Sequence, residues 1–199
     1  MTVVKVCGIT SVADALAAIQ SGAGALGFNF YPRSPRYLSP ESAAAITAAL
    51  PPEICKVGVF VNESPAEIAR IARIAGLDVA QLHGDETPDL VPPGLRVWKA
   101  FRVNDAFSLP QLEAFPAEAF LLDTPTDMYG GSGHTFDWNR ARGASRRILL
   151  AGGLDESNVA AAIAAVQPWG VDACSRLESS PGVKDHGRMA RFIAAAHSV

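Results

Sequence analysis

The sequence predicts an α/β fold, a closed (β/α)8 barrel built as one domain over residues 1–199. Eight short apolar segments alternate with helical ones, whereas an open doubly wound sheet usually needs only about five or six strands. Several of the apolar segments end on a polar residue or a glycine, as strands do where such barrels bind their ligands. The helices after strands 4 to 6 are predicted to be short or irregular, which would let eight units fit into this length.

The first predicted strand spans 3–7 and ends on Cys7. Lys5 interrupts its apolar, mostly β-branched residues, and Lys5 and Cys7 share one face because strand side chains alternate. Cys7 is therefore expected at the carboxyl end of a strand, with an ammonium group one step below the thiol. The other strands are predicted at 25–28, 54–61, 78–82, 96–100, 119–123, 148–151 and 170–174.

Capping residues and glycines mark the predicted helices. Ser11 and Asp14 have the S-x-x-D spacing of a helix cap, which predicts a helix over 12–21 with Leu16 and Ile19 on its apolar face. The remaining full-length helices are predicted after the caps Ser39, Ser64 and Asp155 and over 184–197.

Composition narrows the class of protein. The formal net charge of −3 and the scattered arginines argue against a nucleic-acid partner. The cysteines (Cys7, Cys55 and Cys174) are odd in number and no charged leader precedes them, so we predict a cytoplasmic protein without a disulfide framework. No apolar run approaches the roughly 18 residues of a membrane helix. The histidines are dispersed and no C-x-x-C pair occurs, so no metal is predicted.

Two residues at predicted strand ends could transfer protons. Cys7 could be a base or a nucleophile, since a thiol near a lysine can ionise below its free pKa of about 8.5. The alternative for Cys7 is a small buried apolar residue. Asp123 could donate a proton if burial keeps it protonated, or it could form a helix cap or turn.

Three further side chains are candidates for the same site. Arg36 could bind a carboxylate through both prongs of its guanidinium, or it could be a solvated loop residue. His83 could be an acid-base group or a structural histidine beside a glycine turn. Asp172 is expected on the face of its strand that also carries Cys174, where it could bind substrate or pair with Lys5.

The loops after strands seven and eight indicate a phosphate site. Gly152-Gly153 and Ser175-Arg176 fall where barrel enzymes commonly hold a phosphate through backbone N–H groups. An ordinary glycine turn is the alternative. The connection 124–137 contains Gly130-Gly131-Ser132-Gly133, a composition suited to a mobile lid.

Together these motifs resemble the phosphoribosylanthranilate isomerases of tryptophan biosynthesis. The matching segments occur in order along nearly the whole chain, which makes the set specific although each segment alone is weak. They are 5–10, 27–28 with 34–36, 57–62, 81–86, 121–124, 130–133 with 136–138, 150–154 and 181–185.

The resemblance implies a TIM barrel that converts a phosphosugar, N-(5-phosphoribosyl)anthranilate, by an Amadori rearrangement without a cofactor. Carried over residue by residue, Cys7 is the general base, Asp123 the general acid and Arg36 the contact to the anthranilate carboxylate. The other implied binding residues are His83, Asp172, Gly152, Gly153 and Ser175.

The chain departs from the family pattern over residues 172–178. The family often has Asp-Val-Ser-Ser-Gly-Val-Glu there, and this chain has Asp-Ala-Cys-Ser-Arg-Leu-Glu. Backbone amides survive these changes, so phosphate binding is still expected, with the side-chain geometry at Cys174 and Arg176 left open.

Three rival functions are distinguishable. A related isomerase of histidine biosynthesis is expected to use two aspartates, which Cys7 argues against. A thiol hydrolase would combine Cys7 with His83 and form covalent acyl adducts. A non-catalytic phosphosugar-binding barrel, conceivable because of Arg176, would bind without turnover. The sequence leaves the choice between monomer and homodimer open.

Overall fold

Eight parallel strands close into a barrel in the computed structural model, which describes residues 2–125 and 135–199. Each strand pairs with the next, and β8 pairs with β1 to complete the ring. The predicted fold class is confirmed, and the strand ends differ from the predicted ones by at most two residues. The strands are β1 (Val3–Val6), β2 (Ala25–Asn29), β3 (Cys55–Phe60), β4 (Val79–Leu82), β5 (Arg96–Arg102), β6 (Ala119–Asp123), β7 (Ile148–Leu150) and β8 (Gly170–Ala173).

Six α-helices are found in the described parts of the chain. The predicted caps at Ser11, Ser39 and Ser64 are confirmed, because each side-chain oxygen accepts a hydrogen bond from the backbone N–H three residues later. No helix among the described residues is long and apolar enough to cross a membrane. The helices are α1 (Val12–Ser21), α2 (Pro40–Thr47), α3 (Pro65–Ala75), α4 (Pro110–Glu113), α5 (Val159–Val166) and α6 (His186–His197).

The connections after β4, β5 and β6 carry little helix, as predicted. They contain a 3₁₀ turn at Pro88–Leu90, the single turn of α4, and, in the described part of the third, a 3₁₀ turn at Trp138–Ala141. The predicted glycine-rich lid segment, 130–133, lies outside the described residues.

The buried face of α1 differs from the predicted one. Leu16 is 38% exposed, Ile19 is half-buried, and the helix packs through Ala15 and Ala18 instead. Asp14, which is buried beside these alanines, accepts hydrogen bonds from residues that follow β8. Small side chains and this polar contact, rather than the largest apolar side chains, therefore set the orientation of α1.

The predicted cap at Asp155 is wrong. The Asp155 carboxylate accepts hydrogen bonds from Ser157, which forms a turn, and α5 begins only after Asn158. The Asn158 side chain binds back to the Asp155 N–H and to the Gly153 carbonyl. These hydrogen bonds satisfy the polar groups of the loop before α5. The helix therefore begins after Asn158 rather than directly after Asp155.

A short hairpin after β8 was not predicted. Its strands, β9 (Glu178–Ser180) and β10 (Val183–Lys184), are antiparallel and turn at Gly182, which has a φ of +83°. Because Lys184 is in a strand, α6 begins at His186 with Asp185 as its cap, two residues later than predicted. The hairpin returns the chain to the carboxyl end of the barrel.

The interior of the barrel is mostly apolar. An apolar cluster fills the interior, and a larger one lies between the strands and the helices. Lys5 belongs to the interior and is fully buried. The interior cluster consists of Ala25, Val57, Val79, Trp98, Ala100, Ala119, Leu121, Leu149 and Ala151.

Candidate active site

A cleft opens at the carboxyl ends of the strands. This is the end of the barrel at which (β/α)8 enzymes carry their active sites. All of the site residues predicted from the sequence line this one cleft: Cys7, Arg36, His83, Asp123, Gly152, Gly153, Asp172, Ser175 and Arg176.

Cys7 lies where β1 gives way to a tight turn at Gly8. Gly8 has a φ of +73°, and a Cβ atom there would lie 2.6 Å from the Arg36 Cδ and 2.8 Å from the Cys174 Sγ. Only glycine fits a turn of this conformation with so little space around it. The turn therefore ends the strand directly after the thiol and brings Arg36 and Cys174 close to it.

An ion pair is buried directly below Cys7. The Lys5 Nζ lies 2.9 Å from an Asp172 carboxylate oxygen, and β1–β8 register places these residues side by side. Burial would lower the pKa of Lys5, but Asp172 and the Cys7 sulfur together hold it above its ordinary value. Burial raises the pKa of Asp172 to about 6 in spite of the ammonium group. Asp172 thus pairs with Lys5, one of the two predicted alternatives.

The pKa of Cys7 is well below that of an ordinary thiol. A hydrogen bond from the Cys174 thiol is the largest cause, burial opposes it, and the ammonium groups of Lys5 and Lys184 lower the pKa further. The pKa of Cys174 moves in the opposite direction, because of the same hydrogen bond and because of burial. The sequence predicted that Lys5 lowers the pKa of Cys7, but it did not predict the contributions of Cys174 and Lys184.

Arg36 reaches the cleft as part of a three-residue network. Its Nε and Nη2 donate to the two oxygens of Glu178 over 2.8 and 2.6 Å, and its side chain is only 14% exposed. Arg36 is therefore not a solvated loop residue. The Lys184 Nζ lies 2.9 Å from the same carboxylate and 3.2 Å from the Cys174 carbonyl oxygen. The hairpin and the loop after β2 are held together at the rim of the cleft by this carboxylate.

Asp123 ends β6 and faces His83, which follows β4. The His83 Nε2 lies 3.4 Å from one Asp123 oxygen, and the other oxygen accepts from the Thr124 N–H. The Gln81 amide nitrogen lies 3.1 Å from the His83 Nδ1. With the Gln81 amide nitrogen as donor, Nδ1 accepts, and a neutral ring would then carry its hydrogen on Nε2, towards Asp123. Gln81 and Asp123 thus engage both ring nitrogens of His83, which argues against a thiol hydrolase in which this ring would pair with Cys7.

The loops after β7 and β8 both border the cleft. Gly152 and Gly153 have φ values of +84° and +65°, and a Cβ on Gly152 would lie 2.7 Å from an Asp123 oxygen. Ser175 begins a single 3₁₀ turn, and Arg176 is exposed beside it. Glycine is required at 152 because the acid candidate packs against it.

Sequence reasoning missed Glu178, Lys184 and the side chain of Cys174 as members of the site. The chain did contain a signal, because Pro181-Gly182 between two short segments is typical of a hairpin turn. A hairpin at this point would have returned Lys184 towards the end of β8. Among the described residues, no group of histidine, cysteine and acidic side chains could hold a metal ion.

The fold and the cleft define a class of protein. A thiol of lowered pKa, a carboxyl and an arginine at the carboxyl end of a (β/α)8 barrel are typical of enzymes that work by acid-base catalysis. Residues 4–195 match the family model described as N-(5'phosphoribosyl)anthranilate (PRA) isomerase. The chain belongs to this family.

Individual relatives agree with the family match. The chain is 58% identical to the N-(5'-phosphoribosyl)anthranilate isomerase of Solibacter usitatus, over 98% of this chain and 96% of that protein. It resembles the solved phosphoribosyl anthranilate isomerase of Thermus thermophilus with a TM-score of 0.92, 38% identity and 99% coverage of both chains. A second solved isomerase, 40% identical with a TM-score of 0.86 and full coverage of both chains, is in complex with reduced 1-(o-carboxyphenylamino)-1-deoxyribulose 5-phosphate.

Proposed function

We propose that this cleft converts N-(5'-phosphoribosyl)anthranilate into 1-(2-carboxyphenylamino)-1-deoxyribulose 5-phosphate, with Cys7 as the general base and Asp123 as the general acid. Membership of the family makes the chain an isomerase of tryptophan biosynthesis. The observation that carries the residue roles is that a thiol of lowered pKa and a carboxyl line one cleft from the ends of β1 and β6.

The reaction needs one proton donor and one proton acceptor. Asp123 gives its proton to the ribose ring oxygen as the bond from that oxygen to the first sugar carbon breaks, and the anthranilate nitrogen forms a double bond to that carbon. Cys7 then removes the proton from the second sugar carbon, and the electron pair moves to neutralise the nitrogen. The resulting enol becomes the ketone when a proton adds to the first carbon and the hydroxyl group on the second carbon loses its own proton. Each catalysed proton transfer typically contributes about 10²- to 10⁴-fold in rate.

His83 is proposed to orient the acid. Its Nε2–H points to one Asp123 oxygen while Gln81 holds the other side of the ring. The proton to be donated would then be on the other carboxyl oxygen or shared with the substrate. This arrangement gives His83 a positioning role rather than a role as base.

Arg36 is proposed to bind the anthranilate carboxylate. Glu178 occupies the edge of the guanidinium formed by Nε and Nη2, which fixes the plane of the group. A substrate carboxylate would therefore meet the remaining edge, formed by Nη1 and Nη2, in the two-pronged geometry that arginine favours.

The phosphate is proposed to lie between the loops that carry Gly152-Gly153 and Ser175-Arg176. These loops follow neighbouring strands and line the same cleft. The positive φ values of the glycines support a site in which backbone N–H groups face the ligand at close approach. The solved relative that holds a phosphate-bearing analogue supports a ligand of this class.

Turnover by the purified protein tests the proposal. The fluorescence of the anthranilate substrate should disappear on addition of metal-free protein, and Cys7→Ala and Asp123→Asn should each lose several orders of magnitude in kcat while keeping the thermal transition. Cys55→Ala, which removes a thiol at the start of β3, serves as the control. Near-normal turnover by either site variant would overturn the assignment.

We also propose where the protein acts and in which oligomeric state. We expect residues 1–199 to act as one domain in the cytoplasm, as a monomer or a homodimer. A solved relative from Thermotoga maritima is described as dimeric, which supports the second alternative. Light scattering of the purified protein distinguishes the two.

A further inference from the structure

Cys174 occupies the position on β8 that corresponds to Cys7 on β1. Val6 pairs with Ala173 in the barrel, and the Cys7 N–H donates to the Ala173 carbonyl over 2.9 Å. The next residue on each strand is a cysteine, so both side chains follow Lys5 and Asp172 on the interior face. The two thiols are therefore neighbours across the strands, and a Cβ atom built on Gly8, the residue after Cys7, would lie only 2.8 Å from the Cys174 Sγ.

The surroundings of Cys174 decide which thiol is the donor. Its sulfur lies 3.9 Å from the Lys184 Nζ, which can only donate, and 3.9 Å from a Glu178 oxygen. That oxygen already accepts shorter hydrogen bonds, 2.8 Å from Arg36 and 2.9 Å from Lys184. The Cys7 sulfur is therefore the better acceptor for the Cys174 hydrogen.

The charges around the sulfurs allow one thiolate. Five charged side chains surround the sulfurs of Cys7 and Cys174. Farther out, Asp123 approaches Asp172 from β6. The three cations and two carboxylates leave one unit of positive charge, which a single thiolate neutralises. The flanking groups are Lys5 on β1, Arg36 after β2, Asp172 on β8, Glu178 on β9 and Lys184 on β10.

We propose that Cys174 is a positioning residue whose thiol donates its hydrogen to the Cys7 sulfur and stabilises the deprotonated form of Cys7 that the reaction requires. The role rests on the proposed function, in which Cys7 is the base. It gives the Cys174 side chain a specific task, which a serine hydroxyl at the same position could also perform because it too is a donor. The thiol is the weaker donor of the two.

The test compares a donor with a non-donor at position 174. In a Cys55→Ser background, Cys174→Ser and Cys174→Ala both leave Cys7 as the sole thiol, so its ionisation can be followed by thiolate absorbance and by the pH dependence of its alkylation. We expect Cys7 to titrate about one pH unit higher in the alanine variant, because a hydrogen bond to the charged form is lost. A phosphine reductant keeps the thiols of the parent protein reduced.

Activity provides the second measurement. On the acid side of the pH profile, kcat/KM of Cys174→Ala should fall about tenfold relative to Cys174→Ser and recover at higher pH, because one pH unit changes the thiolate fraction tenfold. A general loss of structure would instead lower activity at every pH. If the alanine variant is unstable, Cys174→Val, which is similar to cysteine in size and has no donor, gives the same comparison.

Two results would overturn the proposal. Equal titration of Cys7 in the serine and alanine variants would show that the donor is not needed. A shifted titration with an unshifted pH profile would show that the hydrogen bond does not serve the reaction. Failure of the proposed function is seen separately, as turnover retained by Cys7→Ala, and it leaves the thiol titration unaffected.

Discussion

Arg36 and Glu178, 142 positions apart in the chain, form a two-pronged ion pair across the rim of the cleft. The pair joins the loop after β2 to the hairpin after β8. It leaves only one edge of the guanidinium to face a ligand, so the direction from which a carboxylate can bind is fixed before the ligand arrives. In its proposed role, Arg36 would therefore discriminate between ligands by geometry as well as by charge.

Replacing Arg36 by methionine should weaken binding of substrates that carry the anthranilate carboxylate. A charged hydrogen-bonded contact is worth roughly 1.5 to 3 kcal/mol, which corresponds to about 10- to 150-fold in binding. Steady-state kinetics with the substrate and with an analogue that lacks the carboxylate measure the effect. Equal losses for the two compounds would disprove the contact.

A negative charge at position 153 should weaken phosphate binding. Gly153→Asp is expected to raise KM at least tenfold above that of Gly153→Asn, which has the same size, tolerates the left-handed backbone and carries no charge. Inorganic phosphate should compete with substrate and raise the melting temperature of the parent protein. If a substrate without phosphate were turned over as well as the intact one, the site would have been placed wrongly.

The pH dependence of kcat/KM should be bell-shaped, because turnover requires Cys7 without a proton and Asp123 with one. Since the pKa of Cys7 is lowered, the acid limb should lie well below the value of about 8.5 for a free thiol. The limbs of such a profile are macroscopic values and need not belong to single residues. An acid limb at the free-thiol value would contradict the lowered pKa.

Replacing Asp172 by asparagine should cost the barrel little unfolding free energy at neutral pH. Burial raises the pKa of Asp172 in spite of Lys5, so the cost of burying the charge offsets its attraction to the ammonium group. Urea unfolding of the parent and the variant measures this difference. A loss above about 3 kcal/mol, the usual cost of removing one partner of a buried pair, would contradict this balance.

The same two proteins allow a test of the raised pKa of Asp172. Its pKa is about 6 in the folded protein and about 3.9 when unfolded, so the folded state holds the proton more tightly. The contribution of this group to stability is fully present below about pH 3.9 and is lost as the pH rises through about 6. The advantage of the parent over Asp172→Asn should therefore shrink between these values. An advantage that grows with pH would contradict the assigned direction.

The barrel and most of its site could be predicted because the signals are local. Several of the predicted strands end on a polar residue or a glycine, and the caps at Ser11, Ser39 and Ser64 depend on residues only three positions away. Long-range matches to a known family then brought Cys7 and Asp123 into one site. Both kinds of signal can be recognised without knowing which side chains touch.

The errors arose where contacts between distant segments decide the structure. The face of α1 is set by the buried Asp14, whose partners follow β8, so the larger Leu16 is left exposed. The roles of Glu178 and Lys184 depend on a hairpin that has too few residues for a periodic pattern. Neither arrangement can be derived from spacing along the chain.

The pairing of β1 with β8 also determines when the site can exist during synthesis. Lys5 and Cys7 leave the ribosome more than 160 residues before Asp172, Cys174 and Lys184. A nascent chain therefore carries an unpaired Lys5 until β8 and the hairpin emerge, and the pairing that closes the ring is the longest-range strand pairing of the barrel. Cys7 acquires its final environment only after β8 and the hairpin have been made, so a nascent chain that has not reached them lacks this arrangement.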